Sequence, residues 1–124
     1  MAVLWQMGKW PPRMNTKFNK EYYKTMDIYD VILLSDRTEN GIRKASFQTC
    51  DMVCSSRIDI ELEGDIIRRI QYTDGCHGNT QGVAALCAGQ RVDEVISRLS
   101  GIDCHARGTS CPDQLARALK ALQA

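Results

Sequence analysis

A chain of 124 residues, 44% hydrophobic and 25% charged, suits one domain with a modest core and is too short for a large catalytic barrel. Its net charge of +1 hides an asymmetry, because residues 1–24 carry five basic side chains against one acidic, and the remainder eleven against fourteen. The body is therefore not a nucleic-acid binder by charge, and no apolar run approaches the roughly 18 residues that a membrane-crossing helix needs.

Residues 1–25 hold five of the eight aromatics and a Pro11-Pro12 break, with no persistent period. They read as a basic, aromatic, partly flexible extension; the other reading is an arm that touches a partner or a nucleic acid. We expect the extension to cover 1–44 and the folded domain 45–124. The first residues are too short and interrupted for a secretory signal. Six cysteines without such a signal point to a reducing, cytoplasmic setting, where cysteine is kept for metal or redox chemistry.

Residues 26–35 form an apolar run that reads as a strand or a helical turn. Residues 36–41 read as a loop, with Asn40-Gly41 a turn signal. Phe47 fits a first short strand leading to Cys50 and Cys54. Ile58, Ile60 and Leu62 then alternate with Asp59, Glu61 and Glu63, the pattern of a half-buried strand. After the turn at 63–65 the chain returns, which predicts a hairpin near 57–72 with Ile66, Ile70 and Tyr72 on one face. Arg68 and Arg69 are expected to pair with the acidic outer face of the first arm.

A glycine-rich turn over 74–79 leads to a helix expected at 80–88 and closed by Gly89. Val92, Val95, Ile96 and Leu99 have the spacing of a second helix, stopped by Gly101. A third begins at Pro112, with Leu115, Ala118, Leu119 and Leu122 on one face. Strands first and helices after predict an α+β domain: a small antiparallel sheet with about three helices on one side.

The placement of the cysteines is informative. Cys54, Cys76, Cys104 and Cys111 all fall at element ends or in loops, from which side chains can converge. Cys111 sits at a helix mouth, where unpaired N–H groups favour a thiolate. Cys87 lies within an apolar helical stretch and reads as core. Cys50 and Cys54 have one half of a knuckle spacing, a weak signal. Four thiols from scattered loops suit tetrahedral zinc or an iron–sulfur cluster, although the spacings are not those of a paired-knuckle ribbon. His77 and His105 each follow a cysteine, but chain neighbours rarely both reach one metal. The glycines over 75–82 precede a helix and could bind a phosphate, but the favoured reading is that they serve a tight turn beneath a metal ligand.

Val53-Cys54-Ser55, Gly75-Cys76-His77-Gly78-Asn79, Gly82, Gly89, Leu99-Ser100-Gly101-Ile102-Asp103-Cys104 and Thr109-Ser110-Cys111-Pro112-Asp113-Gln114-Leu115-Ala116 together resemble the TSCPD domain over about residues 45–124. The family's recurrent cysteines match Cys54, Cys76, Cys104 and Cys111. The domain occurs alone and at the C-terminus of adenosylcobalamin-dependent ribonucleoside-diphosphate reductases. His77 and His105 stand where proline or glycine is commoner, Asp74 replaces a frequent glycine, and Cys50, Cys87 and residues 1–44 lie outside the pattern. In layout the chain is also similar to NifU-type iron–sulfur scaffolds, an analogy of architecture only.

The resemblance implies a cysteine-bound metal module, with zinc first and an iron–sulfur cluster second. It would be associated through a protein partner with ribonucleotide reductase and deoxyribonucleotide synthesis. The competing expectations are a thiol–disulfide redox partner cycling Cys104 and Cys111, and an iron–sulfur carrier. Catalysis of ribonucleotide reduction by this chain itself is not expected, since it has neither room for a barrel nor a Walker-type loop.

Overall fold

Four strands in consecutive order form one antiparallel sheet, followed by three helices, in a computed structural model that describes residues 28–123. The strands are β1 (Ile32–Glu39), β2 (Ile42–Gln48), β3 (Ser55–Glu63) and β4 (Ile66–Asp74). The helices are α1 (His77–Cys87), α2 (Val92–Leu99) and α3 (Cys111–Gln123). This is the α+β order expected from the sequence. The reading of residues 1–25 as a flexible extension or a partner-touching arm lies outside the described residues.

The sheet is more extensive than the hairpin alone. The run near residue 32 is a strand, and pairing continues through Glu39, so the expected loop over 36–41 shrinks to the turn at Asn40 and Gly41. Both turn residues take positive φ, 53° and 81°, as a tight hairpin turn requires. The boundary expected near residue 45 falls inside β2.

In the β3–β4 hairpin, Ile58, Ile60 and Leu62 are buried as their alternation predicts. On the return arm Ile67 and Ile70 are buried, whereas Ile66 is only half-buried. The cause is a bulge. Glu61 pairs with Arg69 and Leu62 with Ile67, leaving Arg68 as an extra residue that shifts the inward set by one position. Arg68 and Arg69 reach Glu63 and Glu61 on the outer face, as expected.

The helices pack on the other face. Phe47, Ile58, Ile60 and Ile67 meet Val95, Leu115, Leu119 and Cys87 in one apolar core, which bears out the reading of Cys87 as core. Helix α1 starts three residues earlier than predicted. Gly78 and Asn79 signal a turn in sequence, yet here lie within the first turn of the helix, with Cys76 at the N-cap position. The α1–α2 connection is tied to the start of β4 by Gly89 N–H donating to the Ile67 carbonyl (2.7 Å) and Val92 N–H to that of Asp65 (2.8 Å). None of the described helices is long and apolar enough to cross a membrane.

Candidate metal centre

The cysteine-bearing segments gather at one end of the fold, where β3 begins and β4 ends. Among the described residues, seven of the eight buried polar ones sit at this end: Thr49, Ser55, Thr80, Thr109, Ser110, Asp113 and Gln114. Every buried side-chain nitrogen and oxygen among the described residues has a hydrogen-bond partner. A polar network that is satisfied throughout holds its backbone in one arrangement.

Each cysteine is positioned by its own anchors. The 50–54 loop carrying Cys54 is closed by Thr49, whose hydroxyl donates to the Ser55 carbonyl (2.6 Å) and whose N–H donates to that of Ser56 (3.2 Å). Cys76 follows a sharp reversal in which Asp74 (φ 64°) and Gly75 (φ 100°) both take left-handed backbone. Asp74, at the position where glycine is frequent, therefore bears some local strain, and its carboxylate accepts from Ser56 Oγ (2.7 Å). Gly75 is needed for space as well. A Cβ there would lie 3.2 Å from Thr80 Cγ2 and 3.3 Å from Ser55 Cβ. Thr80 Oγ1 donates back to the Cys76 carbonyl (3.1 Å).

The 101–110 loop carrying Cys104 is held by the segment that gives α3 its start. Ser110 acts as N-cap, its Oγ accepting from Asp113 N–H (3.1 Å) while donating to the Ile102 carbonyl (2.6 Å). The Asp113 carboxylate, 5% exposed, accepts from Gly101 N–H (2.7 Å), Thr109 Oγ1 (2.7 Å) and Arg117 Nε (2.9 Å). Burial opposes its ionisation, but those three bonds outweigh it and hold the carboxyl below its ordinary 3.8. Gln114, fully buried, donates to the Tyr29 carbonyl and to Thr109 Oγ1, and accepts from Cys50 N–H (2.9 Å). It thereby joins the Cys54 loop to the Cys104 loop and α3.

Cys111 occupies the first turn of α3 and is buried, with its sulfur 3.2 Å from Ser55 Oγ. Tyr72 O–H donates to the Cys111 carbonyl (2.9 Å), and burial first, then the charges of Cys111 and Cys87, keep that phenol neutral. Cys54 and Cys76 are exposed and Cys104 half-buried. The Cys76 thiol is held protonated above its ordinary range first by a hydrogen bond to Cys54 and by the charge there, then by burial and by the charges of Cys111 and Cys104. The other three cysteines singled out from the sequence, Cys54, Cys104 and Cys111, thus all fall within electrostatic reach of Cys76.

They do not form a finished ligand shell. Among the described residues no three His, Cys, Asp or Glu side chains are gathered so as to clasp an ion as they stand. His77 is exposed, its ring nitrogen 2.8 Å from Gln81 Nε2, and His105 is exposed on left-handed backbone (φ 53°). Cys50 is half-buried, with its N–H committed to Gln114. Sequence reasoning did not single out Ser55, Tyr72 or Gln114 as supports. Ser55 had a legible signal in its position directly after Cys54 at a strand start. Tyr72 and Gln114 act through contacts 39 and 64 residues away in sequence, which no local pattern reveals.

Residues 23–123 match the TSCPD domain, beginning well before the segment that carries the cysteine motifs. No curated protein and no solved structure matches the chain.

Proposed function

The chain belongs to the TSCPD family, and we propose that it is a metal-binding module in which Cys54, Cys76, Cys104 and Cys111 are the ligands. The observation that carries this reading is that Cys54, Cys111 and Cys104 all act on the Cys76 thiol and raise it. Like charges brought together in this way oppose ionisation, and a bound cation reverses that opposition. The donor set fits a thiophilic ion in type and number, which favours zinc first and an iron–sulfur cluster second. Loading requires the side chains to rearrange, since among the described residues no three candidate ligands are gathered as they stand.

Bound there, zinc would cross-link three loops and a helix mouth, whereas a cluster would add one-electron chemistry. The chain's own contribution is to hold the donors. Cys76 stands at the N-cap position of α1 and Cys111 in the first turn of α3, so two helix starts carry donors. The Ser55 hydroxyl is within reach to donate to the Cys111 sulfur. Because the family also occurs at the C-terminus of adenosylcobalamin-dependent ribonucleoside-diphosphate reductases, the partner we propose is such a reductase, in a reducing compartment.

Alkylation tests the reading. In protein purified without oxygen, the four thiols should resist iodoacetamide until a chelator is added. Equal labelling of Cys54 and Cys76 with and without chelator would overturn it.

A further inference from the structure

We infer that Cys54 and Cys76 form a redox modification site that closes into a reversible disulfide on reaction with a small-molecule disulfide of the oxidised-glutathione class. The sheet register brings them together. Ser55 pairs with Asp74 as the last rung of the β3–β4 ladder. Cys54 directly precedes that rung, Cys76 follows the reversal at Asp74 and Gly75 just beyond it, and the two thiols are hydrogen-bond partners. The approach is close, since a Cβ at Gly75 would stand 3.3 Å from Ser55 Cβ and 3.4 Å from Ser55 Cα. The segments that carry the two cysteines are thus in direct contact right beside them.

Access selects this pair over the other. Attack on a dissolved disulfide needs a sulfur that solvent can reach, and both Cys54 and Cys76 are exposed. Cys111 is 8% exposed, against Ser55 Oγ at 3.2 Å, and Cys104 is half-buried. The pair expected from the sequence to cycle, Cys104 with Cys111, is thus the less accessible one.

The step balances as two exchanges. The Cys54 thiolate attacks one sulfur of oxidised glutathione, forming a mixed disulfide and releasing one glutathione thiolate. The Cys76 thiolate then attacks the Cys54 sulfur, closing Cys54–Cys76 and releasing the second glutathione thiolate. The two protons lost by the protein end on the two glutathiones, and the glutathione disulfide is the species reduced.

The test uses the full chain, reduced, stripped with a chelator and then treated with oxidised glutathione. Remaining thiols are alkylated and peptides are mapped without reduction. The expected dominant product is a Cys54–Cys76 link that dithiothreitol reverses. In Cys76→Ser a glutathione adduct should persist on Cys54. A dominant Cys104–Cys111 link, adducts without any link in the parent chain, no reaction, or loss of the Cys54 adduct to another cysteine in Cys76→Ser would each overturn the inference. Metal content is read on a separate, unstripped portion, so failure of the metal reading and failure of this one are distinguishable.

Discussion

Asp113 shows how one side chain can hold a site without belonging to it. Its carboxylate takes three donors from a backbone N–H, a hydroxyl and a guanidinium, and so ties the Cys104 loop to the helix that presents Cys111. Replacing it with Asn removes the charge and sets an NH2 against at least one donor. Asp113→Asn should cost about 1–3 kcal/mol, read as a lower urea midpoint at pH 7. The sign with pH follows from the lowered pKa. Stability from Asp113 is complete above the ordinary 3.8 and is lost as pH falls through the lower folded-state value. The gap between parent and Asn variant should therefore narrow in acid. From sequence, Asp113 was visible within the Thr109–Ala116 motif, directly after the Pro112 that opens a helix. Its bond to Gly101, twelve residues back, was not, because loop closure leaves no periodic trace.

At the scale of elements, the β3 alternation and the helical stripes were legible because burial on one face dictates their period. The bulge was not legible. An extra residue at Arg68 changes which isoleucine faces inward, and Ile66 and Ile67 are chemically identical. Ile67→Ala should cost about 2–5 kcal/mol in chemical denaturation, with Ile66→Ala costing clearly less. Equal costs would contradict the register. Strand β1 was ambiguous because all eight of its residues are exposed, so no burial pattern marked it. Helix α1 was placed late because Gly78 and Asn79 are turn formers by propensity, while its true start is set by the reversal at Asp74 and Gly75.

For the whole molecule, the four candidate cysteines were legible by position at element ends, and the fold brings those ends to the end of the sheet where β3 begins and β4 ends. Sequence could not supply the network that holds them there, which depends on Gln114, Ser55 and Tyr72 meeting distant segments. Nor could it distinguish the exposed pair, Cys54 and Cys76, from the more enclosed Cys104 and Cys111. A domain this small gains much from a metal cross-link between loops. The central claim is that the four sulfurs hold one metal centre. Its most direct test is zinc and iron analysis with an absorption spectrum, on chain purified without oxygen and on its Cys76→Ser and Cys111→Ser variants. We predict about one zinc, or one iron–sulfur chromophore, per parent chain and a large loss in both variants. A fully folded parent chain without metal, whose thermal unfolding does not shift when zinc is added, would contradict the account.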